Sequence, residues 1–270
     1  MSDRDLDRDP RDYDDLAEAL YRARVKRVAI PPLTDSHPGM TALDAYQVQQ
    51  GFVRRLLADG DRVVGWKLGL TSAPMQAMFG VTTPDYGPVL GSFLVTEGAE
   101  LAVSDFIAPK AEAEIAVLLD RPLAGPHCTA LEVAQAVAGY AAAIEIVDSR
   151  IADWKIKLPD TISDLASMGA IALSSRLVPP GDWDLRLLGM VFTRDGEVVG
   201  TGAGAAALGS PLHAVAWLGR TRHQVGVGLE AGQFVMTGSL HAAVPLTAGS
   251  TFRADFDRLG PITVHTTVGA

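Results

Sequence analysis

The sequence predicts an α+β fold in which a helical N-terminal part precedes a long β-rich part. Three observations carry that prediction. Two stretches before residue 60 have helical apolar spacing with helical end signals. From Arg62 onward, short runs rich in β-branched residues alternate with Gly and Pro. Only two further helical stretches interrupt those runs. At 270 residues and 48% hydrophobic content, the chain can bury a large core. The change of pattern divides it into a helical part, 1–60, and a β-rich part, 61–270.

The elements follow in order. Residues 1 to about 12 alternate Asp and Arg with almost no apolar content and read as a disordered or loosely held start. A helix is expected from residue 13 to about 28, stopped by Ile30-Pro31-Pro32. A second is expected over 41–58, opened by a capping box of Thr41 and Asp44 and closed near Gly60. Strands are expected over 63–70, 114–119, 144–147 and 189–193, and Asp195-Gly196 between apolar runs is a hairpin turn. Two more helices are expected, 130 to about 139 behind a Thr129/Glu132 capping box, and 212 to about 222 behind Ser210 as cap with Pro211 in the first turn. Strands over 234–237, 251–256 and 262–266 complete the pattern.

Composition excludes several classes. No run approaches the roughly 18 uninterrupted apolar residues of a membrane span, and the start lacks the apolar stretch of a signal peptide, so a cytoplasmic protein is expected. The single cysteine, Cys128, rules out an intrachain disulfide framework and a thiolate-rich zinc site. A net charge of −9 opposes broad binding to nucleic acid or anionic membranes. Gly202-Ala203-Gly204-Ala205-Ala206-Ala207 matches a relaxed dinucleotide fingerprint, but a hairpin precedes it and no acid stands near Gln224 and Val225. Those glycines are read as permitting a tight backbone path. The six histidines, His213 and His241 included, show no metal-ligand spacing.

The chemistry concentrates elsewhere. In Ala111-Glu112-Ala113-Glu114-Ile115-Ala116-Val117-Leu118-Leu119 two carboxylates share one face of an apolar strand, and Glu145 lies in a second apolar run, 140–147. Unpaired carboxylates in such surroundings cost roughly several kcal/mol each unless a cation or proton compensates. The pattern therefore admits a metal site, or an edge strand whose glutamates face water. Lys67 sits in the apolar, glycine-flanked stretch Gly65-Trp66-Lys67-Leu68-Gly69. Partial burial would depress its pKa and make it an acid or base, whereas a snorkelling side chain would keep it charged in water. Thr83-Pro84-Asp85-Tyr86-Gly87-Pro88 reads as a turn that presents one carboxylate.

Six segments then occur in a common order: Gly-Trp-Lys-Leu-Gly-Leu-Thr-Ser (65–72), Pro-Asp-Tyr-Gly (84–87), Glu-Ala-Glu-Ile-Ala (112–116), Ile-Glu-Ile-Val-Asp-Ser-Arg-Ile (144–151), Asp-Thr-Ile-Ser-Asp (160–164) and Val-Met-Thr-Gly-Ser (235–239). From about Leu16 onward, the chain resembles the 2-oxopent-4-enoate hydratase and 4-oxalocrotonate decarboxylase group of the fumarylacetoacetate hydrolase superfamily. The resemblance implies a mixed β-sheet or β-roll core with peripheral helices over 61–270, a Mg²⁺ or Mn²⁺ ion, and a homo-oligomer, alone or complexed with a related decarboxylase or hydratase. It assigns Glu112, Glu114 and Glu145 to the metal, and Lys67 and Asp85 jointly to proton transfer on a 2-oxo or 2-hydroxydienoic acid. Lys157 is implied at the substrate carboxylate, or else as an exposed strand lysine; Arg150, Thr237 and Ser239 are implied as helping to hold that carboxylate, with Arg150 equally readable as a structural ion pair. Leu165 stands where the family carries Asn, and so bears on substrate contact. Related decarboxylases carry an apolar residue at position 85, which favours hydration of a 2-hydroxy-2,4-dienoate in aromatic meta-cleavage catabolism. Decarboxylation or carbon–carbon hydrolysis of a related acid is the alternative, and a noncatalytic partner subunit is a third reading.

Overall fold

The computed structural model describes residues 10–269, and the expected loosely held start lies outside the described residues up to Asp9. Three helices come first: α1 (Pro10–Lys26), the short α2 (Leu33–Ser36) and α3 (Ala42–Ala58). The Thr41 hydroxyl accepts from the Asp44 N–H while the Asp44 carboxylate accepts from the Thr41 N–H, forming the anticipated capping box. There follow β1 (Val63–Gly69), α4 (Ala73–Phe79), β2 (Asp85–Leu90), β3 (Leu94–Val95), β4 (Glu100–Ala102) and β5 (Lys110–Leu119). The middle of the chain forms α5 (Ala130–Ala136), β6 (Val137–Val147), α6 (Leu158–Ser163) and β7 (Met168–Leu173). A hairpin of β8 (Gly189–Arg194) and β9 (Glu197–Ala203) leads to α7 (Pro211–His223). Four strands end the pattern: β10 (Phe234–Met236), β11 (Val244–Pro245), β12 (Thr251–Phe256) and β13 (Gly260–Thr267).

The strands form two sheets. The larger runs β2-β1-β10-β5-β6-β7-β3 with β11 added to β5. It is mixed, as the resemblance implied, because β1 with β10 and β3 with β7 are parallel while the other pairs are antiparallel. The second sheet runs β4-β13-β12-β8-β9. Alternation along β5 sends Ala111, Ala113, Ile115, Val117 and Leu119 into one core with Phe252, Ala254, Ile262 and Val264 of the second sheet. The opposite face gives Ala116 to a core with Ala17 and Leu20 of α1 and Val48 and Phe52 of α3. Glu112 and Glu114 share that opposite face, nearer the start of the strand.

Local chemistry explains where expectation and structure part. Residues 85–88 are strand rather than turn: β2 pairs antiparallel with β1 from Asp85 to Leu90. Pro88 is tolerated because β2 is the sheet's edge strand. Helix α5 stops at Ala136, where the backbone turns extended at Val137 (φ −83°, ψ 124°) and runs straight into β6. The β8–β9 turn is as expected, with positive φ at Asp195 (54°) and Gly196 (86°). A Cβ on Gly202 would lie 2.1 Å from the Leu240 carbonyl oxygen, so close backbone approach accounts for that glycine. Among the described residues, no helix is long and apolar enough to cross a membrane.

Candidate active site

The antiparallel register of β5 and β6 places Glu112 directly opposite Glu145, and Glu114 follows two residues along the same face. One carboxylate oxygen from each lies within 4.8 Å of the others. Glu145 is 0% and Glu114 1% exposed, while Glu112 is only half-buried. Glu114 Oε2 accepts from the Gly238 N–H at 2.9 Å. Neither oxygen of Glu145 receives a hydrogen bond. Lys67 Nζ lies 2.9 Å from Glu145 Oε1, but the hydrogen bond it makes with good geometry is to the Ala166 carbonyl at 2.7 Å. The contact with Glu145 is thus Coulombic. Burial, then Glu145, pushes Glu112 up to about 7; the same causes plus Glu112 hold Glu114 well above the ordinary carboxylate range. Such a cluster calls for protons or a cation. Its all-oxygen donors fit a hard divalent ion such as Mg²⁺ or Mn²⁺.

Lys67 and Asp85 come from adjacent strands, β1 and β2, and are 3% and 0% exposed. Neither alternative for Lys67, a depressed pKa or a head in water, is realised. Burial does oppose its charge, but Glu145, Glu114, Asp85 and Glu112 outweigh burial and raise its pKa. Asp85 is raised, chiefly by burial, against the lowering influence of Lys67 and Thr161. Its Oδ2 accepts from the Thr161 hydroxyl at 3.2 Å, and its Oδ1 has no partner. Room for that carboxyl depends on Gly69, where a Cβ would lie 2.2 Å from Asp85 Oδ1. Gly238 meets a similar demand: at φ 105°, its missing Cβ would sit 1.8 Å from Thr71 Oγ1.

Of the two readings for Arg150, the structure shows the structural ion pair. Arg150 is 1% exposed and makes an ion pair with Asp164 while donating to the Asp164 and Met168 carbonyls. These bonds bracket Leu165, Ala166 and Ser167, three consecutive left-handed residues with φ of 56°, 51° and 56°. Non-glycine residues adopt that conformation at a cost. The guanidinium therefore clamps a strained turn, and the turn presents the Ala166 carbonyl to Lys67. Leu165 is fully buried on the helix side of the large sheet and does not line the cleft. Lys157 is exposed at the start of α6, also outside the cleft. The buried Thr237 hydroxyl donates to the Ile115 carbonyl at 2.9 Å. Ser239 does line the cleft, with its hydroxyl donating to the His241 carbonyl at 2.6 Å.

Comparison with known proteins places this geometry. A family model described as the C-terminal region of fumarylacetoacetate (FAA) hydrolase matches residues 83–267. The chain belongs to the fumarylacetoacetate hydrolase family. It is 41% identical to a 2-keto-4-pentenoate hydratase of Paraburkholderia xenovorans (strain LB400), covering 94% of both chains. It is also 39% identical to a 4-oxalocrotonate decarboxylase of Pseudomonas putida, over 93% of this chain and 95% of that one. The 4-oxalocrotonate decarboxylase of Pseudomonas putida G7, solved with magnesium and adipate, matches with a TM-score of 0.93 at 37% identity, over 96% of this chain and 98% of the other.

In this member of the fumarylacetoacetate hydrolase family the carboxylate centre opens through Glu112 into a cleft of about 260 Å³, walled also by Lys67, Lys110, Ser239, His241 and Met75. A larger cavity of about 530 Å³ lies elsewhere, beside Arg24, Asp148 and Arg150. The chemistry belongs with the smaller one, which Glu112 and Lys67 line and behind which the unpartnered oxygens of Glu145 and Asp85 are buried. His241 fills a gap between β10 and β11. Its Nε2 accepts from the Ala113 N–H at 2.9 Å and its Nδ1 faces the Ala242 carbonyl at 2.7 Å, which fixes a neutral Nδ1–H tautomer. Burial lowers its pKa accordingly. Sequence reading assigned no site role to Thr161, Ala166, Gly238, His241 or Lys110. Thr161 and Gly238 lay inside segments that carried the resemblance, and Lys110 was signalled by its place two residues before Glu112.

Proposed function

We propose that the chain is a metal-dependent hydratase that adds water to a 2-hydroxy-2,4-dienoate of the 2-oxopent-4-enoate type, giving a 4-hydroxy-2-oxo acid in aromatic meta-cleavage catabolism. The observation that carries this reading is Asp85, a fully buried carboxyl with one unpartnered oxygen, beside Lys67 and the three glutamates. Glu112, Glu114 and Glu145 would hold Mg²⁺ or Mn²⁺, and the ion, when bound, stabilises negative charge developing on the substrate's 2-oxygen. Hydration further requires that the 2-hydroxyl lose its proton as C5 gains one, and that water lose a proton in attacking C4 as C3 gains one, so that the net change is one added water. Lys67 and Asp85 perform these transfers jointly. Burial favours the protonated form of Asp85, so it can donate, and the ammonium of Lys67 stands ready beside it. The clamped 165–167 turn orients Lys67 through the Ala166 carbonyl.

Likeness to the Paraburkholderia hydratase supports the same reaction. The similarity to 4-oxalocrotonate decarboxylases supports a second reading, decarboxylation of a related 2-oxo acid, for which an ion held by the same three glutamates would supply the same charge stabilisation. Family resemblance further supports a cytoplasmic homo-oligomer, alone or with a related decarboxylase. The test is product identity. Purified protein with Mg²⁺ receives freshly generated 2-hydroxypenta-2,4-dienoate, with the hexadienedioate in parallel, and products are weighed by mass spectrometry. A gain of one water is expected. Loss of carbon dioxide would transfer the assignment to decarboxylase, and inertness toward both would favour a noncatalytic partner.

A further inference from the structure

The hydratase reading needs a cation for the substrate carboxylate, and the residues first considered for that task are engaged or misplaced. Arg150 is enclosed around the 165–167 turn, Lys157 lies outside the cleft, and Thr237 donates to the Ile115 carbonyl. Lys67 is committed to Ala166 and Glu145. Lys110 is the remaining cleft cation. It continues the face of β5 that bears Glu112 and Glu114, about 7 Å along the strand from Glu112 at roughly 3.3 Å per residue. Its ammonium sits 4.0 Å above the Trp154 ring, which is itself anchored by Trp154 Nε1 donating to the Ala108 carbonyl at 3.0 Å. Among the described residues no carboxylate makes a direct ion pair with it, and the acid whose charge reaches it is Glu112. A cation held on an aromatic face at the edge of the carboxylate cluster, bonded to none of its acids, is arranged for an anionic ligand.

Charge balance agrees. With Asp85 protonated, the negative charges of Glu112, Glu114 and Glu145 are matched by Lys67 and one divalent ion together. Lys110 then leaves the site one charge positive, so an incoming carboxylate is attracted. We propose that Lys110 binds the substrate carboxylate at the metal end, beside Glu112, and so selects 2-oxo acids. This rests on the hydratase reading for the reaction, but it is tested by binding alone.

The probe is pyruvate, the smallest stable 2-oxo acid, titrated calorimetrically into Mg²⁺-loaded wild-type, Lys110→Gln and Lys110→Arg proteins, with adipate as a parallel ligand and thermal melts as a fold control. Lys110→Gln is expected to weaken pyruvate and adipate alike by about tenfold to a hundredfold, the range for hydrogen bonds to charged groups, with Mg²⁺ bound at least as tightly because Glu112 loses a neighbouring cation. Lys110→Arg is expected to stay within about threefold of wild type, since it restores the charge at the same place. Unchanged pyruvate affinity in Lys110→Gln overturns the proposal, as does a wild-type protein that binds no pyruvate. A loss confined to adipate also overturns it, by placing Lys110 at the far end of the ligand. Wild-type protein that binds pyruvate through Lys110 yet hydrates no dienoate would defeat the hydratase reading and leave the carboxylate site standing.

Discussion

Raising the pH should weaken the metal-free protein, and Mg²⁺ should reverse the loss. Burial and Glu145 move Glu112 from 4.5 to about 7 in the folded state. Between those values the folded protein holds a proton that the unfolded chain has released, so stability is greatest below about pH 5 and falls as pH rises toward 7. At about 1.4 kcal/mol per pH unit the interval corresponds to about 3 kcal/mol, and screening through the half-open cleft trims this to about 2 kcal/mol. For a chain of this size, that is a shift of roughly 4–8 °C in Tm. Mg²⁺ at about 100 times its Kd would return about 2.7 kcal/mol. The assay is thermal melting at pH 5, 6, 7 and 8, in EDTA and in Mg²⁺, for wild type and Glu112→Gln. Asp164, raised to about 6 mainly by burial, and Asp85, raised chiefly by burial, contribute slopes of the same sign to both proteins, so their difference reports Glu112 together with the part of the Glu114 shift that Glu112 causes. In EDTA the variant should match wild type at pH 5 and exceed it by several degrees at pH 8. Identical pH slopes for the two proteins, or a wild-type Tm at pH 8 indifferent to Mg²⁺, would show that Glu112 belongs to no strained carboxylate centre.

Three other outcomes follow from the same geometry. Glu114→Gln, which removes one anionic donor and nearly keeps the shape, should abolish metal-dependent turnover with an unchanged circular dichroism spectrum; full activity with unaltered metal dependence would remove this site from consideration. Asp85→Asn should slow hydration by about 10²–10⁴-fold while leaving pyruvate affinity within a few-fold; equal losses in both would make Asp85 a positioning group. Arg150→Met should cost about 3–5 kcal/mol in urea denaturation by stranding the buried Asp164 charge, and Arg150→Lys should recover only part of that, because an ammonium lacks the planar fork that spans the turn.

Local signals made much of this fold legible. The Thr41 and Thr129 capping boxes, the Asp195-Gly196 turn and the alternation along β5 all act within a few residues, and each is realised in the structure. The metal candidates were legible only in part, since two carboxylates at alternate positions of an apolar strand admitted a metal site or a solvated strand face, and the family resemblance decided between them. That Glu145 faces Glu112 depended on the β5–β6 register, which the six ordered segments implied and single-strand patterns could not. Long-range packing decided the rest. The strand at Asp85–Leu90 was masked by its Pro and Gly content, which only an edge position permits. Met168–Leu173 carries one β-branched residue, Ile171, and gave little strand signal. Leu165, Ala166 and Ser167 have no intrinsic tendency to left-handed backbone; the turn exists because Arg150 brackets it from outside. The sign of the Lys67 shift likewise could not be read locally, because four carboxylates from other strands converge on a lysine whose own neighbours are apolar.

The decisive measurement is reconstitution. Protein stripped with EDTA and dialysed is titrated with Mg²⁺ while consumption of 2-hydroxypenta-2,4-dienoate is followed by its ultraviolet absorbance. Hydration at the three-glutamate centre requires that activity be absent after stripping, return saturably with Mg²⁺ in wild type, and fail to return in Glu145→Gln. Full hydratase activity in the stripped protein, or its return in Glu145→Gln at wild-type Mg²⁺ concentrations, would contradict it.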